Sequence, residues 1–138
     1  MLIEKVLYTA KVHTAGGRDG GCAKSEDGNL DLDFALPGSK KVGVNPEQLL
    51  AAGWSACFLG ALAIAAAKQN VSLPPSRSVD AEIDLGTAGE EFLLAARLSV
   101  SLPGIDRKLG ERLIEAAHQT CPYSKAVRGN IEVSLSLA

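Results

Sequence analysis

Between Leu49 and Ala67 the chain runs for 19 residues without a charged side chain, and any fold it adopts must cover that segment. Asn45, Pro46 and Gln48 mark its start. Asn is a favoured N-cap, Pro suits the first helical position because its φ is preset and it has no N–H to leave unpaired, and Gln48 sits where a capping-box partner reaches back. The stretch from Asn45 to Gln69 therefore predicts one long buried helix with Cys57 in its middle. Its length is enough to cross a bilayer. Ten of the 19 residues are Ala or Gly, however, which gain little from lipid, and polar, alternating segments flank them, so no membrane association is expected. A helix apolar all round also suits the centre of a soluble fold. Roughly 24 residues make a helix about 36 Å long, more than a domain of this size hides alone, which predicts cover from a second subunit.

The 138 residues suit a single domain spanning 1–138, with no linker, repeat or low-complexity tract to divide it. Net charge is -2 with acids and bases dispersed, so nothing supplies the basic stripe that nucleic acid requires. The opening MLIEKVLYTAKVH carries Glu4, Lys5 and Lys11 and lacks the apolar core of a signal peptide, so a cytoplasmic location is expected. Three cysteines, Cys22, Cys57 and Cys121, are too few for a secreted disulfide framework. In a reducing compartment such thiols are catalytic or redox groups more often than staples.

Along the chain, Val6, Tyr8, Ala10 and Val12 alternate, predicting a half-buried strand over residues 3–14. It runs into AGGRDGG, where four glycines within six residues make a loop able to take unusual φ values, with Arg18 and Asp19 displayed on it. Residues 22–25 predict a short strand, Asp27-Gly28 a tight hairpin, and Leu30, Leu32, Phe34 and Leu36 a returning strand. After the central helix, Val79 to Leu85 and Phe92 to Val100 alternate as a strand pair joined by a GTAGE loop. Asp106 is a plausible N-cap for a second helix with a stripe of Leu109, Leu113, Ala116 or Ala117, and Thr120. Pro122 stops it and starts a short helix, PYSKAV, before Gly129. Ile131, Val133, Leu135 and Leu137 form a last strand. The expected class is α+β with antiparallel sheets around a long buried central helix, in the order βββ-α-ββ-α-α-β.

Cys57 has Gly53, Gly60 and Ala61 at spacings of four, three and four, which predicts a hollow beside it. A buried cysteine is commonly just a small hydrophobe. To react, this one needs a cation brought to it, since apolar surroundings raise a thiol's pKa. Arg18 is the candidate, and Glu47 in the first helical turn could hold its guanidinium by paired hydrogen bonds. Glu47 and Cys57 lie about 80° apart around the helix, so they need an intermediary to cooperate. Taken singly, Arg18 reads as a solvated loop charge and Glu47 as a favourable helix-start acid. Cys121 precedes Pro122 and faces the free N–H groups of the next helical turn, the setting of a reactive thiol and equally, taken alone, of a poor cap between two helices. His118, three residues earlier, raises the question of a metal site. The absence of a CxxC or a second spaced ligand pair argues against one.

Three segments, HTAGGRDG (13–20), NPEQLLAAGWSACF (45–58) and TCPYSKAVRGN (120–130), together resemble the organic hydroperoxide resistance (Ohr) proteins of the Ohr/OsmC family, and the likeness runs from the first strand to the last. The paired glycines before the arginine and the NPEQL and CPYS wording point to the Ohr branch. The resemblance implies a thiol-dependent peroxidase acting on organic hydroperoxides. Cys57 would then be the attacking thiol, Cys121 the resolving thiol, and Arg18 and Glu47 the cation and its holder. It further implies a homodimer with sheets around two central helices, and reduction by a dithiol on lipoylated protein, with no metal or organic cofactor. Cys22 falls outside the pattern and reads as a spectator.

Under that reading, Cys57 becomes a sulfenic acid and Cys121 converts it to a disulfide. Preference for organic peroxides would come from an apolar pocket, each buried CH₂ contributing about 0.8 kcal/mol, with Trp54 and Phe58 as wall material. Two other classes stand beside it. One is a module that binds an apolar ligand next to incidental thiols; the other is a redox sensor whose disulfide alters a partner interaction.

Overall fold

Glycine turns and short strands build the first of two units, Met1–Pro46 and Glu47–Ala138, in the computed structural model, which describes residues 1–138. Strands β1 (Val12–Ala15), β2 (Cys22–Ser25) and β3 (Asp31–Asp33) pair antiparallel in sequence order, with Cys22 opposite both Ala15 and Asp33. The expected meander is present. The β1–β2 loop closes on itself through a Gly21 N–H to Gly17 carbonyl bond of 3.1 Å. Gly16, Gly17 and Gly20 take φ of 79°, 77° and 80°, values that side chains resist. Asp27 organises the next turn, accepting from Ser25 Oγ at 2.5 Å and from the Asn29 N–H at 3.0 Å. Phe34 then bridges parallel to Val44.

The strand expected over residues 3–14 begins only at Val12. Leu2, Val6, Leu7 and Tyr8 are exposed. Alternation makes a strand only where another edge supplies its hydrogen bonds, and within this chain the ladder gives residues before Val12 none beyond the Glu26 N–H to Lys11 carbonyl bond of 3.0 Å.

The second unit is organised by α1 (Pro46–Lys68). It ends as expected, with Asn70 at φ 55° and the Val71 N–H returning to the Ala66 carbonyl at 2.9 Å, a left-handed cap. Strands β4 (Ser78–Ala88) and β5 (Glu91–Ser101) make a continuous hairpin from Ser78↔Ser101 to Ala88↔Glu91. The five-residue GTAGE loop shrinks to Gly89-Glu90, because Gly89 takes φ 61° and lets residues 86–88 stay in the ladder.

Helix α2 (Arg107–Thr120) starts at Asp106, whose carboxylate accepts from the Leu109 N–H at 3.2 Å. Its buried face is Gly110, Leu113, Ile114 and Ala117, turned slightly from the expected stripe, so that Thr120 is exposed. Gly110 lets β6 (Glu132–Leu137) approach closely: a Cβ there would lie 2.8 Å from Leu137 Cδ2. Helix α3 (Pro122–Val127) lies between them in sequence and closes with Arg128 and Gly129, the latter at φ 77°.

The α+β class and the element order are as expected, but β6 joins β5 in parallel, Ala95↔Glu132 through Val100↔Leu137. A helical crossover separates the two strands, and such a connection returns the chain in the same direction. The central helix is also less hidden than its composition predicts. Trp54, Phe58, Ala61, Leu62, Ala65 and Ala66 are buried in one core with Leu98, Val100, Leu113 and Ala117, while Ala52, Ala56, Gly60, Ile64 and Ala67 form an exposed stripe. One sheet and one helix layer cover only one side of it.

Candidate active site

Cys57 lies in the middle of α1, where Trp54 and Phe58 on either side point into the core with 0% exposure and leave the thiol half-buried at its margin. Both aromatic side chains are therefore core material, not the walls of an open pocket that the sequence suggests. The expected hollow is also partly filled. A Cβ on Gly53 would meet the Tyr123 ring, at 3.1 Å from Oη and 3.3 Å from Cε2. A glycine inside a helix costs about 1 kcal/mol relative to Ala, and here it admits an aromatic ring onto the helix surface. Gly60, on the other side, faces open space.

Cys121 owes its position to Pro122. The residue before a proline is pushed out of helical geometry, and Cys121 takes φ -60° and ψ 122°. It thereby ends α2, its N–H bonding the Ala117 carbonyl at 2.8 Å, and begins α3, its carbonyl accepting from the Lys125 N–H at 2.9 Å. The elbow aims the fully buried Cys121 side chain at α1, where its sulfur lies 3.5 Å from Cys57 Sγ. Both are free thiols. One turn away runs a second link between the same elements: Trp54 Nε1 donates to Ser124 Oγ at 3.0 Å, and both residues are fully buried.

Burial pushes the Cys57 thiol above its ordinary pKa; the nearby Tyr123 backbone N–H pulls the other way, and the neighbouring Cys121 raises it further. Its surroundings thus disfavour the thiolate. Glu47 occupies the first turn of α1, partly buried, about 15 Å along the axis from Cys57 at 1.5 Å per residue. Arg18 sits at the tip of the glycine loop in the Met1–Pro46 unit, on an exposed stretch. Cys22 is exposed on β2 of that unit.

His118 stands one turn before Cys121. Its Nδ1 is buried without a hydrogen-bond partner, and its backbone carbonyl accepts from the Arg128 guanidinium. Burial lowers its pKa, the Arg128 charge adds to that, and Glu115 opposes it. No group of three or more His, Cys, Asp or Glu side chains converges as a metal site. The residues that sequence reasoning missed are Ser124, the polar role of Trp54, and Tyr123 over Gly53. The glycine inside a helix and the serine of CPYS were the signals available, but neither names its partner.

Residues 38–136 match the family model of OsmC-like proteins. The chain is 43% identical over 138 residues, 98% of its length and 97% of the relative's, to an organic hydroperoxide resistance protein of Xanthomonas axonopodis pv. citri. It is 42% identical to organic hydroperoxide resistance protein OhrB of Bacillus subtilis, over 95% of this chain and 98% of that one. The crystal structure of OhrB superposes with a TM-score of 0.87 over 96% of this chain and 100% of that one. An organic hydroperoxide resistance protein from Legionella pneumophila superposes with a TM-score of 0.89 at 40% identity, over 97% and 99% of the two chains. With its own element order and paired thiols beside these matches, the chain belongs to the OsmC-like family, among the organic hydroperoxide resistance proteins.

Proposed function

We propose that this protein detoxifies organic hydroperoxides as a thiol-dependent peroxidase. The observation that carries the reading is the 3.5 Å approach of Cys57 and Cys121 as free thiols, supported by relatives named for organic hydroperoxide resistance. In the reaction, the Cys57 thiolate attacks the outer peroxide oxygen, the O–O bond breaks heterolytically, and the alkoxide takes a proton and leaves as the alcohol. The resulting Cys57 sulfenic acid is attacked by the Cys121 thiolate, releasing water and forming the disulfide. An external dithiol, on our reading a lipoyl group of a partner protein, supplies two electrons and two protons to restore both thiols.

Arg18, oriented by Glu47, is assigned the task of holding Cys57 as thiolate and stabilising charge on the peroxide oxygens. This follows from the need for a cation at a thiol that burial disfavours ionising and from the family resemblance. The two units act as one domain, and two chains pair. The exposed apolar stripe of α1 supports pairing, since a face of Ala, Gly and Ile gains most by meeting another such face. Three free cysteines suit a reducing cytoplasm.

The test is consumption of cumene hydroperoxide against hydrogen peroxide, with dihydrolipoamide and a thioredoxin system compared as reductants. Catalytic turnover that prefers the organic peroxide and dihydrolipoamide is expected. Stoichiometric capture of an apolar ligand without turnover would replace the peroxidase by a binding module.

A further inference from the structure

Two short links tie α3 to the turn of α1 that precedes Cys57. The Tyr123 ring lies against Gly53, where a Cβ would meet it at 3.1 to 3.4 Å, and Ser124 Oγ receives the Trp54 indole N–H at 3.0 Å with both residues at 0% exposure. They flank the group of the elbow that meets Cys57 Sγ, the Cys121 sulfur at 3.5 Å; the nearby Tyr123 backbone N–H draws the Cys57 pKa down. Cys121 provides no side-chain cap for α3, so the links to α1 carry the hold on its first turn. Ser124 is the one fully buried polar residue of the chain, and nothing but the indole answers its burial.

We propose that Trp54 and Ser124 are positioning residues for the thiol pair: their hydrogen bond holds α3 at a fixed setting on α1, so that the elbow keeps the Cys121 sulfur against Cys57. The inference deepens the peroxidase reading and rests on its thiol pair. It assigns neither residue a contact with peroxide. Holding reacting atoms in place is worth much to a rate, and a misplacement of about 1 Å can cost roughly a hundredfold. Closing the disulfide requires the sulfurs to approach by about 1.5 Å, since the bond is near 2.05 Å. A loosened α3 would make that approach rarer.

The experiment uses Ser124→Ala, Trp54→Phe and the double variant, each in a Cys22→Ser background, with diamide as oxidant. Diamide takes two electrons and two protons from Cys57 and Cys121 as their S–S bond forms, so closure is read without any peroxide. Each single variant is expected to close roughly tenfold more slowly or worse, with its pH–rate midpoint moved to higher pH as the thiolate loses the Tyr123 N–H. Ser124→Ala should also melt earlier, because it strands a buried indole N–H. The double variant removes both polar groups and should regain much of that stability while closing as slowly as the singles. Recovery of the closure rate together with the melting temperature would reduce the pair to a stability device and overturn the proposal. If Trp54→Phe does not fold, Ser124→Ala decides alone, and a wild-type rate and pH midpoint in that variant sink the idea. Normal closure in the parent protein with no hydroperoxide consumption would instead count against the peroxidase reading, leaving the positioning role intact.

Discussion

Cys57 and Cys121 are 64 residues apart in sequence, yet their sulfurs lie 3.5 Å from each other. One hangs from the middle of a helix and the other from the elbow between two more, so neither local structure contains the reason for the approach. The pair differs in exposure: Cys57 is half-buried at the margin of the core, and Cys121 is fully buried behind it. On the proposed peroxidase reading, the more exposed Cys57 takes the attacking role and the buried Cys121 the resolving role.

Cys57→Ser is expected to lose peroxide consumption completely. Cys121→Ser should complete the first oxidation and then stall, because the sulfenic acid has no neighbouring thiol and proceeds to sulfinic acid under excess peroxide. Intact-protein mass spectrometry reads the added oxygens directly. A Cys121→Ser protein that cycles normally with dithiol would show that resolution does not pass through residue 121.

Arg18→Ala should slow attack on the peroxide at neutral pH by roughly two to three orders of magnitude, the usual cost of removing one charge-stabilising donor. Burial already pushes the Cys57 thiol up, so without the cation the rate profile should move to higher pH. Gly21→Ala approaches the same loop differently, since its Cβ would lie 2.3 Å from the Gly17 carbonyl oxygen and 2.4 Å from that of Ala15. Such a clash with backbone costs about 1–3 kcal/mol or more and displaces the segment that carries Arg18. Peroxide attack should fall while diamide still closes Cys57 to Cys121. Full peroxidase activity in both variants would remove the loop from the mechanism.

Acid should weaken the fold through His118. Its pKa is held down by burial and then by Arg128, against a smaller pull from Glu115. A histidine depressed on folding contributes stability that is complete above its unfolded pKa, about 6.5, and is lost as pH falls through the lower folded value. The urea midpoint should therefore drop between pH 7.5 and 5, and His118→Gln should drop less. Equal drops in the two proteins would assign the acid sensitivity elsewhere.

Ile64, at 57% exposure, lies on the uncovered stripe of α1 with Ala56 and Gly60. Ile64→Asp should weaken self-association by roughly a hundredfold or more, because a paired interface would have to bury an unpartnered carboxylate. Sedimentation velocity across a dilution series tests this. An unchanged oligomer would move the subunit contact to another face.

What the residues determined by themselves was local: the start of α1 at Asn45-Pro46, its end near Asn70, the Asp106 cap, the break at Pro122, and the glycine loop around Arg18. Each follows from backbone preferences acting over a few residues, and three separated segments carried enough specific wording to indicate the family. Only the tertiary structure decided the rest. Whether Val6 and Tyr8 sit in a strand depends on a neighbouring edge. Whether β6 runs parallel depends on the crossover before it. Whether Trp54 lines a pocket or donates a buried hydrogen bond to Ser124, 70 residues on, depends on where α3 lands. Helix, turn and cap are settled by neighbours along the chain, whereas pairing, burial and the meeting of two sulfurs are settled by neighbours in space, and no single stretch of sequence names them.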